Sequence, residues 1–237
     1  MVCEKTDGTR NFLIGAAEGV FLVDRAFAIT PVKIRIPKET LLDGELVTAK
    51  NGARLFVVHD AVLVKGVSLL EFRLDERLNA ARSVVKGIIK TASAPFEIRV
   101  KTMGILGTSP IPDLNSFEYE TDGLVFTPVN EPIRMGTHET MFKWKPRERI
   151  TVDFEIKNGE DLYVQERGEP VLVSGLNLHN RRPDLADGTI VECGYGQLGW
   201  FVEKIRTDKT YANNRRTFTR TCVNLQEAIK IEEFQGL

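Results

Sequence analysis

Cysteine is scarce in this chain of 237 residues, and Cys3, Cys193 and Cys222 form an odd set without Cys-x-x-Cys or His-Cys spacing. That excludes a disulfide framework and a zinc site, and predicts reduced thiols. Long apolar runs are missing as well. Nothing approaches the ~18 to 20 consecutive apolar residues of a membrane span, and the amino terminus has neither a basic start nor an apolar signal core. A soluble, intracellular protein without a membrane partner is expected. Charge of one sign is also lacking. The formal net charge is -1, so any contact with nucleic acid must come from local patches rather than from the summed field. Three histidines, His59, His138 and His179, show no ligand spacing, and no catalytic role is expected of them. There is no internal repeat and no low-complexity linker.

What the chain does have is a 42% hydrophobic content, enough to bury a sizeable core. Most of it is patterned as strands. FLIGAAEGVFLVDR reads as a hairpin around a small-residue turn, and LLDGELVTAKNGARLFVVHDAVLVKG as a second with Asn51-Gly52 at its tip. RLDERLNAARSVVKGIIK, residues 73 to 90, spaces Leu74, Leu78, Ala81, Val85 and Ile88 three or four apart, which predicts a helix with one buried stripe. FEIRVK, DGLVFTP and MFKWKP follow as strands. Beyond residue 148 come short strands at regular spacing, TVDFEIKNGEDLYVQERGEPVLVSG, TIVECGYG and WFVEKIR, with turns at Asn158-Gly159 and Gly168-Glu169-Pro170. That series suits a small barrel. NLQEAIKIEEF, with Asn224 and Glu227 at capping-box spacing, predicts a terminal helix.

Two basic patches stand out. One is Lys143, Lys145, Arg147 and Arg149 in MFKWKPRER, and the other is Lys204, Arg206, Lys209, Arg215, Arg216 and Arg220 in KIRTDKTYANNRRTFTR. Each reads as a solvated face or as a contact for polyphosphate. KTDGTR, residues 5 to 10, raises the sharper possibility that Lys5 is a nucleophile. A lysine amine attacks only when partly uncharged, and nearby cations such as Arg10, or partial burial, favour that form. Gly8 would permit a tight reversal after Asp7.

KTDGTR does not stand alone. LLDGELV carries Glu45, YETDGLVF carries Asp122, MFKWKP carries Lys143 and Lys145, and IRTDK carries Arg206, Asp208 and Lys209. In type, order and approximate spacing this set resembles the covalent nucleotidyltransferase superfamily of mRNA capping enzymes and ATP-dependent polynucleotide ligases. DGLVF and KWKP, with Trp200, Lys204 and IRTDK, resemble the guanylyltransferase branch. HDAVLVKGVSL, TIVECGYG and RTDKTYANNRRTFTRTCVNLQEAI resemble the single-subunit capping enzymes of large DNA viruses of algae and protists.

The resemblance implies an α+β fold: a nucleotidyltransferase domain of the ligase and capping type, with antiparallel sheets and few helices, over residues 1 to 147. An OB-fold β-barrel domain with a C-terminal helix would follow over 148 to 237. It implies an mRNA guanylyltransferase that forms lysine-GMP on Lys5 from GTP and passes GMP to a 5′-diphosphate RNA end. An ATP-dependent RNA or DNA ligase and an inactive OB-type nucleic-acid-binding protein are the alternatives. Thr6, Arg10, Arg25, Glu45, Phe56, Lys101, Asp122, Lys143, Lys145, Arg206, Asp208 and Lys209 would bind GTP. Phe56 would stack on the purine, Lys101 would meet guanine O6, and Arg25 would lie near the ribose and phosphates. Glu45 and Asp122 would hold Mg2+ or Mn2+, while Arg206, Asp208 and Lys209 would reach the β- and γ-phosphates. On a strand, Lys143 and Lys145 would point to one face and reach one phosphate. A monomer working with a separate RNA triphosphatase and cap methyltransferase, in the nucleus or at a viral replication site, completes the expectation. Family members carry further strands before the lysine motif, so this chain, with only MVCE there, is expected to be less soluble than one extended upstream.

Overall fold

The chain enters on β1 (Val2–Thr6) and crosses from one sheet to another within the single KTDGTR motif. The computed structural model describes residues 1–88, 94–136 and 138–234. These divide into two compact units, Met1–Trp144 with Phe234, and Lys145–Glu233.

In the first unit, β2 (Thr9–Gly15) and β3 (Val20–Asp24) form the first expected hairpin, and β4 (Ile29–Val32) pairs with β3. The second hairpin is β5 (Thr40–Thr48) and β6 (Arg54–Val64), closed by Gly52 in the left-handed region. With β7 (Val67–Ser68) they make one sheet, ordered β4-β3-β2-β5-β6-β7, and β8 (Glu97–Val100) joins β6 in parallel. A smaller antiparallel sheet, ordered β1-β9-β10, contains β9 (Thr121–Phe126) and β10 (Phe142–Trp144).

Helix α1 (Leu74–Lys86) follows from its spacing. Leu74, Leu78, Ala81 and Val84 are buried, with Val85 and Ile88 packed at the margin of the same core. Asp75 and Glu76 open the helix and Lys86 closes it, each sign opposed to the local end of the helix dipole. It stops at Gly87; residues 89 and 90 of the expected span lie outside the described residues. Arg77 also sits on the buried stripe. Its guanidinium forks onto Asp60 at 2.7 and 3.0 Å and donates to the carbonyls of Phe72 and Glu131.

The large sheet is two-sided, and its parity positions the site. Leu13, Leu42, Phe56 and Val58 point into the core beneath α1. Their alternates Arg10, Asp43, Glu45, Val47, Leu55 and Val57 lie on the other face, where Val47, Leu55 and Val57 pack with Tyr119.

The second unit is a five-stranded antiparallel sheet, ordered β13-β12-β11-β14-β15. Its strands are β11 (Thr151–Lys157), β12 (Asp161–Glu166), β13 (Glu169–Leu172), β14 (Thr189–Gly196) and β15 (Gly199–Ile205). Asn158-Gly159 and Arg167-Gly168 both have positive φ, the first within a three-residue loop between Lys157 and Asp161, the second as the two-residue turn between Glu166 and Glu169. The second turn therefore precedes Glu169 and Pro170, which belong to β13. Phe154, Trp200 and Phe218 interlock edge to face at the centre of this core.

Helix α2 (Arg215–Glu227) corrects the expected terminal helix. Its cap is Asn214, whose side chain accepts from the N–H of Thr217 at 2.8 Å, ten residues before the expected cap at Asn224. Asn224 lies in the last turn, where its carbonyl accepts from Ala228 in a left-handed C-cap. Burial pushes the thiol of Cys3 up to about 11 and that of Cys193 to about 12, so both are protonated at neutral pH.

Candidate active site

Lys5 is the penultimate residue of β1 and faces Gly123 of β9, which places no side chain beside its ammonium. One residue before Gly123, Asp122 accepts from Lys5 Nζ at 2.6 Å. Asp7 and Gly8 then carry the chain over β5. A Cβ at Gly8 would stand 2.6 Å from Val47 Cγ1 and 2.9 Å from the Leu46 carbonyl, so glycine is required here for close approach to β5. Thr9 begins the large sheet, and Arg10 pairs across it with Glu45. The motif thus links a lysine on one sheet to an arginine on the other.

Around Lys5 the charges are unevenly matched. Arg10 forks onto Asp43 at 2.9 and 2.5 Å, and His59 Nε2 stands 3.3 Å from the same carboxylate. Burial alone would push the Asp43 pKa up, but the hydrogen bonds from His59 and Arg10 hold it at about 2. Glu45, by contrast, keeps a buried Oε2 with no hydrogen-bond partner among the described residues, and Thr6 Oγ1 is equally orphaned there. Burial pushes the Glu45 carboxyl up against the opposing pull of His59, Lys101 and Lys5. Lys143 on β10 is the counterpart. Desolvation, then the charges of Lys5, Arg10 and Arg25, lower its hold on a proton. Buried polar atoms without partners, beside cations that repel one another, suit the binding of a polyanion and its counter-ion.

The structure therefore gathers Lys5, Thr6, Arg10, Glu45, Asp122 and Lys143, with Arg25 close enough to act on Lys143 electrostatically. Two more of the expected residues are buried. Phe56 is fully buried, its ring 6.0 Å from that of Phe96, and has no exposed face on which a base could stack in this conformation. Lys101 is buried too, its Nζ donating to the Glu4 carbonyl at 2.8 Å and lying 3.4 Å from the Glu4 carboxylate, which also accepts from Tyr119. Lys145 lies one residue beyond the end of β10. Strand β10 ends at Trp144, because Pro146 has no N–H to continue the ladder and restrains the residue before it.

In the second unit, Arg206 joins Asp153 at 2.9 Å, Glu192 at 3.3 Å and Asp208 through two contacts of 2.8 Å. Lys209 also binds Asp153, and Lys204 binds Glu192 at 3.0 Å. Asp153 is buried and was not anticipated from sequence. His59 was also passed over, although strand parity offered a signal. It shares the parity of Leu55 and Val57, and so belongs to the face that carries Asp43 and Glu45. Among the described residues no three His, Cys, Asp or Glu side chains cluster as a metal cage.

Residues 1–147 match the family described as mRNA capping enzyme, catalytic domain, and residues 125–235 match mRNA capping enzyme, C-terminal domain. The mRNA-capping enzyme subunit alpha of Schizosaccharomyces pombe is 34% identical over 195 residues, covering 66% of this chain and 48% of that protein. The mRNA-capping enzyme of Danio rerio is 26% identical over 219 residues, covering 81% of this chain and 36% of that one. The chain thus spans about half or less of the length of these relatives. They are fungal and animal, and lend no support to the expected kinship with viral enzymes. A mycobacterial DNA ligase D complexed with ATP and MES superposes with a TM-score of 0.52 at 14% identity, over 88% of this chain and 89% of that one. That likeness concerns the fold, which is of the nucleotidyltransferase and ligase type. With both domain models matched in order along its length, the chain belongs to the mRNA capping enzyme family.

Proposed function

We propose that the chain is an mRNA guanylyltransferase, and that Lys5 is its nucleophile. The observation that carries this reading is Lys5 Nζ at 2.6 Å from Asp122, within a cluster that leaves the buried Oε2 of Glu45 without a partner. Lys5 Nζ attacks the α-phosphorus of GTP; a P–N bond forms, the P–O bond to pyrophosphate breaks, and the amine loses a proton. The β-phosphate oxygen of a 5′-diphosphate RNA end then displaces the amine, giving GpppN and free Lys5. Both displacements place negative charge on equatorial oxygens, which Arg10 and Lys143 are sited to neutralise.

Glu45 and Asp122 are the residues that would hold Mg2+ or Mn2+. Two carboxylates with the remaining positions filled by substrate phosphate and water is a common set for such ions, and the orphaned oxygen of Glu45 fits it. A bound cation would offset charge at the α-phosphate. Arg25 is proposed for the ribose and phosphates, and Thr6 for a hydrogen bond to nucleotide through its unpartnered hydroxyl. Arg206, Asp208 and Lys209 keep their proposed role toward the β- and γ-phosphates. Their support is chemical, since the same cations already hold carboxylates in the second unit. The second unit is proposed to be of OB type, supported by its five antiparallel strands. Selection of GTP over ATP rests on family membership. Competition between α-labelled GTP and ATP for covalent labelling tests it, with ATP labelling pointing to a ligase instead.

A further inference from the structure

Phe27 is 81% exposed and sits at φ 61, in the left-handed region, which a bulky side chain rarely adopts. Asp24 holds it there. The Asp24 carboxylate accepts from the N–H groups of Ala26 at 2.8 Å and Ala28 at 2.9 Å, its carbonyl accepts from Phe27 N–H, and its own N–H donates to the Ala28 carbonyl. The ring is presented by a clamped turn and gains no burial in return, where asparagine or glycine would take this conformation at less cost.

Position gives the ring a use. Asp24 pairs with Asn11, next to Arg10, and Arg10 pairs with Glu45, so the turn leaves the sheet at the end that carries the Lys5 cluster. Arg10, Asn11, Phe12, Val23, Asp24 and Arg25 line a cavity beside it. Arg10, Arg25, Lys5 and Lys143 share one electrostatic field. An exposed aromatic face next to a cavity that holds Arg10 and Arg25 has the elements by which proteins take single-stranded nucleic acid, a ring on which a base stacks and cations near the phosphates.

We infer that Phe27 is a stacking platform for a base at the 5′ end of the acceptor RNA. This rests on the guanylyltransferase reading, and the test separates the two. Labelled enzyme–GMP is formed from α-labelled GTP, freed of nucleotide, and mixed with increasing 5′-diphosphate RNA. For Phe27→Ala the expectation is unchanged enzyme–GMP formation, an unchanged maximal transfer rate, and a rise of about tenfold in the RNA concentration giving half-maximal transfer. Phe27→Tyr should restore the wild-type dependence. RNAs made abasic singly at each of the first three positions should include one that costs the wild type a similar factor and Phe27→Ala nothing further. Wild-type RNA dependence in Phe27→Ala would overturn the inference, as would impaired enzyme–GMP formation in that variant, which would move the ring's role to the nucleotide or to the fold. Absence of enzyme–GMP in the wild type would sink the guanylyltransferase reading first, and this inference with it.

Discussion

Glu45 and Asp43 are two residues apart on one strand face, yet their environments push them in opposite directions. Asp43 is held at about 2 by His59 and Arg10, against the cost of burial. Because its folded pKa lies below the ordinary carboxylate value of 3.8, its contribution is fully present above pH ~4 and is lost as pH falls toward ~2; it is worth about 2 kcal/mol. Asp43→Asn should lower stability at pH 7 by about that amount and flatten the acid limb of a stability profile, as urea denaturation across pH would show. Glu45 has the reverse sign. Its raised pKa means that the ionised form costs stability above the unfolded value, a cost that grows until pH passes the folded value. Glu45→Gln should therefore melt no lower than the wild type at pH 7 while losing most covalent labelling, and a large drop in melting temperature would contradict this account of the orphaned carboxylate.

Motifs rich in charge were readable at this scale, and single aromatic positions were not. Lys5, Arg10, Glu45, Asp122 and Lys143 lie in short patterns whose residue types carry the chemistry. Parity puts Phe56 and His59 on opposite faces of β6, but which face meets the core is set by tertiary packing, along a register against β5 that shifts between Asp43 and Gly44.

Among the elements, hairpins with Asn-Gly tips and the stripe of α1 were legible because local pattern and tertiary burial agree. Helix α2 starts from a cap ten residues before the expected one because Asn214 caps it and Phe218 and Leu225 pack on the second core, a tertiary selection that the Asn224–Glu227 spacing does not carry. Asn214→Ala should cost about 1 kcal/mol, measurable by chemical denaturation. Arg77 is the larger surprise, a charged residue on the buried stripe of α1 whose partner Asp60 adjoins His59. Asp60 is itself only partly buried, so Arg77→Ala, which strips the fork from that carboxylate and leaves a gap in the buried stripe, should cost about 2 to 3 kcal/mol. A loss below about 1 kcal/mol would show that the pair contributes little.

Across the whole molecule, a net charge of -1 conceals a group of cations around Lys5 and, around Arg206, a network in which Arg206, Lys204 and Lys209 meet Asp153, Glu192 and Asp208. The division into two units was readable only as a change in strand spacing near residue 148. That Phe234 returns to the first unit, stacking against Phe126 and Trp144, was not, since contacts between distant segments leave no local pattern. The central claim is that Lys5 carries GMP. Incubation with α-labelled GTP and a divalent cation, followed by a denaturing gel, tests it directly. The account predicts acid-labile label from GTP but not from ATP, mapped to the Lys5 peptide and absent in Lys5→Ala. Label that survives Lys5→Ala, or that comes from ATP alone, would contradict it.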